Sequence, residues 1–135
     1  HWHPEIIHIN DWHPSMIGTI IKKNPVLCAD CKKSKIVLSI HNHASNEFPT
    51  IGSLRYLLSY PNHEFPEIIH RKSGIVNLLL NGVVNSDYVC PVSPTYAKEL
   101  VHRNFCGKEL ADAFFKKDEE GKMGGILNGI DMEVF

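Results

Sequence analysis

The sequence lacks most of the features that mark specialised chains. Charge of one sign is missing: 14 Lys and Arg stand against 15 Asp and Glu, a formal net charge of −1. No basic footprint therefore points to nucleic acid, and no acidic tail points to a solvating role. Long hydrophobic runs are also missing. The longest, from Ile75 to Val84, is interrupted by Asn77, Asn81 and Gly82 and is too short to span a bilayer. No secretory apolar region stands at the start. Four cysteines in 135 residues, at positions 28, 31, 90 and 106, are too few for a disulfide scaffold. With no Asn-x-Ser/Thr sequon, they suit a reducing, cytoplasmic setting. There is no internal repeat and no low-complexity stretch. The first residue is His1 rather than Met, as expected of a processed chain or a piece of a longer one.

What remains is ordinary globular material, 43% hydrophobic and 21% charged, of a length that suits one domain over residues 1–135. A chain of this size buries roughly two-thirds of its unfolded surface, enough for a core without staples.

Apolar patterning alternates between strand and helix. Ile6, Ile7 and Ile9 predict a strand over 5–9, and Pro14 sits where a helix opens. Met16, Ile17, Ile20 and Ile21 then fall on one helical stripe that ends at Lys22-Lys23-Asn24-Pro25. Ile36 to Ile40 reads as a buried parallel strand, because it is continuous and β-branched. Residues 41–50 read as a loop, 53–60 as a helix stopped by Pro61, 61–66 as a loop, and 73–85 as a buried helix. Tyr88 to Val92 predicts a third strand, at an edge or irregular because of Pro91. Ser93-Pro94 opens a helix, with serine as cap and proline first inside. Ala97, Leu100, Val101 and Phe105 make its apolar face. Leu110, Ala111, Phe114 and Phe115 make the next, Lys116 to Lys122 reads as a charged loop, and Gly125 to Asn128 as a last short strand.

Strand–helix alternation of this kind gives an α/β fold, a parallel sheet with flanking helices and right-handed crossovers. Ligands of such sheets bind beyond the carboxyl ends of the strands. Those ends are Asn10-Asp11-Trp12-His13, His41-Asn42-His43, Ser93-Pro94-Thr95-Tyr96 and Asn128-Gly129-Ile130-Asp131. Four polar, hydrogen-bonding ends on one rim favour a ligand with many hydroxyls, such as a sugar or a nucleotide.

Four stretches carry a family likeness: Ile7-His8-Ile9-Asn10-Asp11-Trp12-His13, Ser39-Ile40-His41-Asn42, Val92-Ser93-Pro94-Thr95-Tyr96-Ala97-Lys98-Glu99, and Gly125-Ile126-Leu127-Asn128-Gly129-Ile130-Asp131. In order and spacing they resemble the starch synthase and bacterial glycogen synthase family of glucosyltransferases. The resemblance implies a Rossmann-like parallel sheet, part of the N-terminal half of a two-domain (GT-B type) glycosyltransferase. It also implies a retaining glucosyltransferase that extends an α-1,4-glucan at its non-reducing end. The co-substrate is then a nucleotide-sugar, ADP-glucose, with no resident cofactor and no metal. The partners are the glucan acceptor and the remainder of the catalytic region, with no nucleic acid and no membrane. The setting is the cytoplasm, or a plastid in a plant or alga. The donor-facing glycine-rich loop and the nucleotide-binding second half have no counterpart in these residues.

By the same resemblance His41 is the catalytic candidate, a hydrogen-bonding partner of the transferred glucose. Asp11, Asn42 and Asn128 are the substrate-binding candidates. Trp12, His13, Ser93 and Tyr96 are acceptor-side or structural. Five of them have a plain alternative. His41 suits a strand-end histidine that hydrogen-bonds a backbone carbonyl. Asp11 and Ser93 suit helix caps, Trp12 suits a packed core, and Asn128-Gly129 suits a turn. The sequence departs from the family at His43-Ala44-Ser45-Asn46-Glu47, where Leu-Ala-Tyr-Gln-Gly is usual, and at Asn81, where a lysine is common. Lys122-Met123-Gly124-Gly125 imitates the family's donor loop but stands at an ordinary connector, so it is read as a mimic. The histidines pair as His1-x-His3 and His41-x-His43 without a converging third and fourth ligand, so metal is not expected. Cys28-x-x-Cys31 falls between a helix and a strand, the reverse of a redox motif, and reads as a surface loop. A non-catalytic carbohydrate-binding or interaction module that kept the fold is the alternative from another class.

Overall fold

The computed structural model describes residues 3–23, 30–31, 33–44, 50, 52–54 and 74–133. Its elements are β1 (Ile6–Asn10), α1 (Met16–Lys23), β2 (Lys35–Ile40), α2 (Leu78–Asn85), β3 (Tyr88–Pro91), α3 (Pro94–Leu100), α4 (Arg103–Cys106) and α5 (Lys108–Glu119). The strands pair in the order β1-β2-β3, both pairs parallel, with Ile9 opposite Leu38 and Leu38 opposite Val89. The alternation in the sequence predicts this topology.

One face of the sheet holds the core. Ile9, Ile36, Leu38, Ile40 and Val89 pack against Leu79 and Val83 of α2, Leu100 of α3, and Leu110 and Phe114 of α5. Each such side chain contributes roughly 1.5–3 kcal/mol on leaving water. The other face, of opposite side-chain parity, carries Ile6, His8, Asn10, Val37, Ser39, His41, Cys90 and Val92 and borders an open cleft. A smaller cluster joins Met16, Leu54, Val76 and Leu78. The described helices include none long and apolar enough to cross a membrane.

Helices α1 and α2 meet closely because Gly82 has no side chain. A Cβ there would lie 2.4 Å from Ser15 Cβ. Ser15 is fully buried, and its hydroxyl reaches Trp12 O at 2.6 Å and Leu78 O at 2.7 Å.

Several expected boundaries move, each for a local reason. The helix predicted over 73–85 begins only at Leu78. Asn77 caps it, its side chain accepting from Leu80 N at 2.9 Å, while β-branched Ile75 bridges antiparallel to Thr50. Phe105 is not on the helix that Ser93 opens. That helix ends at Leu100, and Phe105 belongs to the single turn α4 and is 40% exposed. Phe115 is 53% exposed while Phe114 is fully buried, so only the latter faces the core. The charged stretch from Lys116 is helical as far as Glu119, because Lys117 folds inward. Its ammonium donates to Ser86 O at 2.6 Å and Val84 O at 3.3 Å, carbonyls at the end of α2.

Residues 125–128 are not a regular strand. The chain from Lys122 to Ile126 still runs beside β3: Val89 N donates to Lys122 O, Gly124 N to Val89 O and Ile126 N to Pro91 O. The expected helix over 53–60 is helical at 52–54, and its remainder lies outside the described residues. Most of the two expected loops, over 41–50 and 61–66, also lies outside them.

The lower end of the sheet, where the strands begin, gathers the carboxyl ends of α1, α2 and α5. Lys22, Lys116, Lys117 and Lys122 surround them, with Asp87 and Glu120 between. Cations suit helix C-termini. Lys22 reaches Asp87 at 2.6 Å, and Lys122 reaches Glu120 at 2.7 Å. Burial alone would raise the Asp87 carboxyl. Hydrogen bonds from Lys22 and Ile36 N, with the charges of Lys22 and Lys35, outweigh that and hold it below the usual carboxylate range. Burial lowers Lys117.

Candidate active site

The upper rim, at the carboxyl ends of the strands, brings Asp11, His41 and Ser93 after β1, β2 and β3. Asn128 follows the segment beside β3. His41 and Asn128 line one cleft of about 450 Å³ with Asn10, Ser39 and Leu127. Both are exposed. The His41 ring is oriented by Asn10, whose Oδ1 lies 3.2 Å from Nε2. An amide oxygen only accepts, so Nε2 donates in this contact. His8 Nε2 lies 2.7 Å from Ser39 Oγ on the same sheet face.

Asp11 has φ 59°, a left-handed conformation that Asp tolerates better than most residues. This turn folds its carboxylate back across the sheet. Oδ1 accepts from the backbone N–H of His41 at 2.7 Å and of Asn42 at 3.2 Å. Asn42 Oδ1 in turn accepts from Ala44 N at 2.8 Å. Tyr96 Oη accepts from His43 N at 2.9 Å. The backbone N–H groups of His41, Asn42, His43 and Ala44 are thus each held by a side chain.

Ser93 is the cap of α3, with Oγ accepting from Tyr96 N at 2.9 Å. Trp12 is half-buried, packs against both apolar clusters and stacks on His13 with ring centroids 3.7 Å apart. His13 is exposed. Tyr96 is half-buried, and its hydroxyl is pushed up to about 12. Burial is the main cause, opposed by the hydrogen bond from His43 N and reinforced by the charges of Asp11, Cys106 and Glu99. Burial likewise pushes the Cys106 thiol up to about 11.

Asn10 and His43 were not among the candidates read from the sequence. Asn10 stands next to Asp11, and strand parity, which puts Asn10 on the same sheet face as His41, was the available signal. His43 gave none, since its partners lie on α3 and α4. Cys31 is disulfide-bonded, unlike the reduced cysteines expected from the sequence, whereas Cys90 and Cys106 are free. Among the described residues no group of three His, Cys, Asp or Glu is placed to hold a metal ion.

Residues 1–116 match the family model described as the starch synthase catalytic domain. The chain belongs to the starch synthase catalytic-domain family. A glycogen synthase of Lactococcus lactis is 34% identical over 133 residues, covering 98% of this chain and 27% of that protein. One from Aliivibrio fischeri is 36% identical over 130 residues, 95% of this chain and 26% of that protein. The solved catalytic domain of starch synthase IV from Arabidopsis thaliana, bound to ADP and acarbose, superimposes with a TM-score of 0.73 at 25% identity. It matches 97% of this chain and 26% of that one. This member of the starch synthase family thus spans about a quarter of the length of the relatives it matches.

Proposed function

We propose that the protein carrying this chain transfers glucose from ADP-glucose to the non-reducing end of an α-1,4-glucan, with retention of anomeric configuration. The observation that carries the reading is that His41 and Asn128, far apart in sequence, line one cleft at the carboxyl ends of the strands. His41 hydrogen-bonds the transferred glucose as charge develops at the reacting carbon. The amide of Asn128 donates to and accepts from sugar hydroxyls. Asp11, Asn42 and Tyr96 act on the backbone that carries His41.

Among the described residues neither lysine nor arginine lines the cleft, which supports a role for these residues toward the sugar, with cations from elsewhere for the donor phosphates. The remainder of the catalytic region and a glucan acceptor are the partners, without a metal or resident cofactor, in the cytoplasm or, in a plant or alga, a plastid. The 135 residues alone should not incorporate glucose into glycogen.

The test is His41→Ala in the intact protein. Losing one bond of this kind should lower kcat by about 10²–10³, with donor affinity nearly unchanged. A folded variant with unaltered kcat would make His41 a merely structural residue.

A further inference from the structure

We infer that His43, acting through Tyr96, is a positioning residue that fixes the backbone carrying His41. The inference rests on the proposed reaction, since positioning has meaning only for a site that works. Its geometry is a closed set of bonds between the loop after β2, helix α3 and the turn α4. Nε2 of His43 lies 3.2 Å from Phe105 O. A carbonyl oxygen only accepts, so Nε2 donates. The other ring nitrogen, Nδ1, lies 2.9 Å from Tyr96 Oη. With the proton on Nε2, Nδ1 accepts the phenolic proton. The phenolic oxygen in turn accepts from His43 N at 2.9 Å. Every polar atom named here then has a compatible partner in one tautomer.

Packing restricts the same ring. The centroids of His43 and Phe105 are 4.5 Å apart, and those of Tyr96 and Phe105 are 6.0 Å apart, edge to face. Tyr96 is itself placed by the Ser93 cap, which takes its N–H. Asp11 holds His41 and Asn42 from the β1 side, and Tyr96 holds His43 from the α3 side. The segment from His41 to His43, which bears the candidate catalytic ring, is therefore held from two sides by groups that need not touch substrate. A grip of this kind supports rate through orientation and leaves ground-state affinity alone.

The experiment uses the intact protein with Tyr96→Phe, His43→Leu and His43→Asn. Asparagine places an oxygen near the position of Nδ1 and can still accept from Tyr96, whereas leucine cannot. Amide exchange of residues 41–44 should quicken about tenfold in Tyr96→Phe, the loss of one hydrogen bond, with residues 108–119 unchanged as a control for folding. In His43→Leu, kcat should fall about tenfold at unchanged donor Kd. His43→Asn should recover most of it. Unchanged exchange at 41–44 would overturn the inference, and so would an asparagine variant no better than leucine, or a loss confined to donor Kd. If the unmodified protein transfers no glucose, the proposed function fails, while the exchange result still decides whether the grip exists.

Discussion

The carboxylate of Asp11, at the end of β1, accepts the backbone N–H of His41, at the end of β2, at 2.7 Å. One strand end thereby sets the height and direction of its neighbour's. Asp11 needs φ 59° to do so. Alanine at that position loses the bonds to His41 and Asn42 and also adopts a left-handed backbone at a cost of about 1–2 kcal/mol. Asp11→Ala should lower kcat by about 10²-fold. Asp11→Asn keeps an acceptor and tolerates the conformation, so it should retain at least tenfold more activity than alanine. Steady-state kinetics on both variants check this, and equal losses would show that charge, not anchoring, is what matters.

Gly125 lies against the turn into α3. A Cβ there would sit 2.0 Å from Ser93 O and 2.2 Å from Ser93 C, both backbone atoms. Gly125→Ala must therefore move the segment that leads to Asn128. The expected result is a stability loss of about 1–3 kcal/mol, typical of overpacking, together with weaker sugar binding. Thermal melts and substrate titration read the two effects separately.

Gly82→Ala brings a methyl group onto Ser15 Cβ and should likewise destabilise by about 1–3 kcal/mol. Ser15→Gly relieves the contact but loses a buried hydroxyl. The double variant should then be more stable than the sum of the single changes predicts. Simple additivity in denaturant melts would place the strain elsewhere.

Asp87 links Lys22 to the backbone N–H of Ile36 and titrates below its ordinary value of 3.8. A lowered folded-state value means that stability is fully present above the unfolded value and is lost as pH falls through the folded one. Melting temperature should therefore drop below about pH 5. In Asp87→Asn that drop should be shallower, from a lower starting point. Parallel curves for the two proteins between pH 6 and pH 3 would remove Asp87 from the acid response.

Three of the four expected strands and the rim were legible because their signals are local. Ile36 to Ile40 is continuous and β-branched, and Ser93-Pro94 is a cap followed by a helix-opening proline. Both appear where expected. The end of α5 was not legible. Lys116 to Lys122 looks like a solvated loop until α2 supplies carbonyls for the Lys117 ammonium. Asn77 hid in the same way: it reads as an interruption in an apolar run and acts as the cap that starts α2. At the rim, the sequence brought out Asp11, His41 and Asn128 but not the bonds among strand ends. Those depend on a left-handed turn at Asp11 and on a ring from a loop meeting a hydroxyl from a helix.

The two ends of the sheet should respond to different solution variables. At the lower end, ammonium groups face carboxylates and helix termini, and added salt weakens such attractions over about 8–10 Å at ordinary ionic strength. At the upper rim, the loop from His41 to Ala44 is held largely by uncharged partners and by a single carboxylate at hydrogen-bond distance. Screening acts weakly on hydrogen bonds in which at most one partner carries a full charge. Rising ionic strength should therefore loosen the sheet from the end where its strands begin, while the end that bears His41 keeps its shape, so that salt tolerance of the rim and salt tolerance of the fold are separate properties of one small sheet.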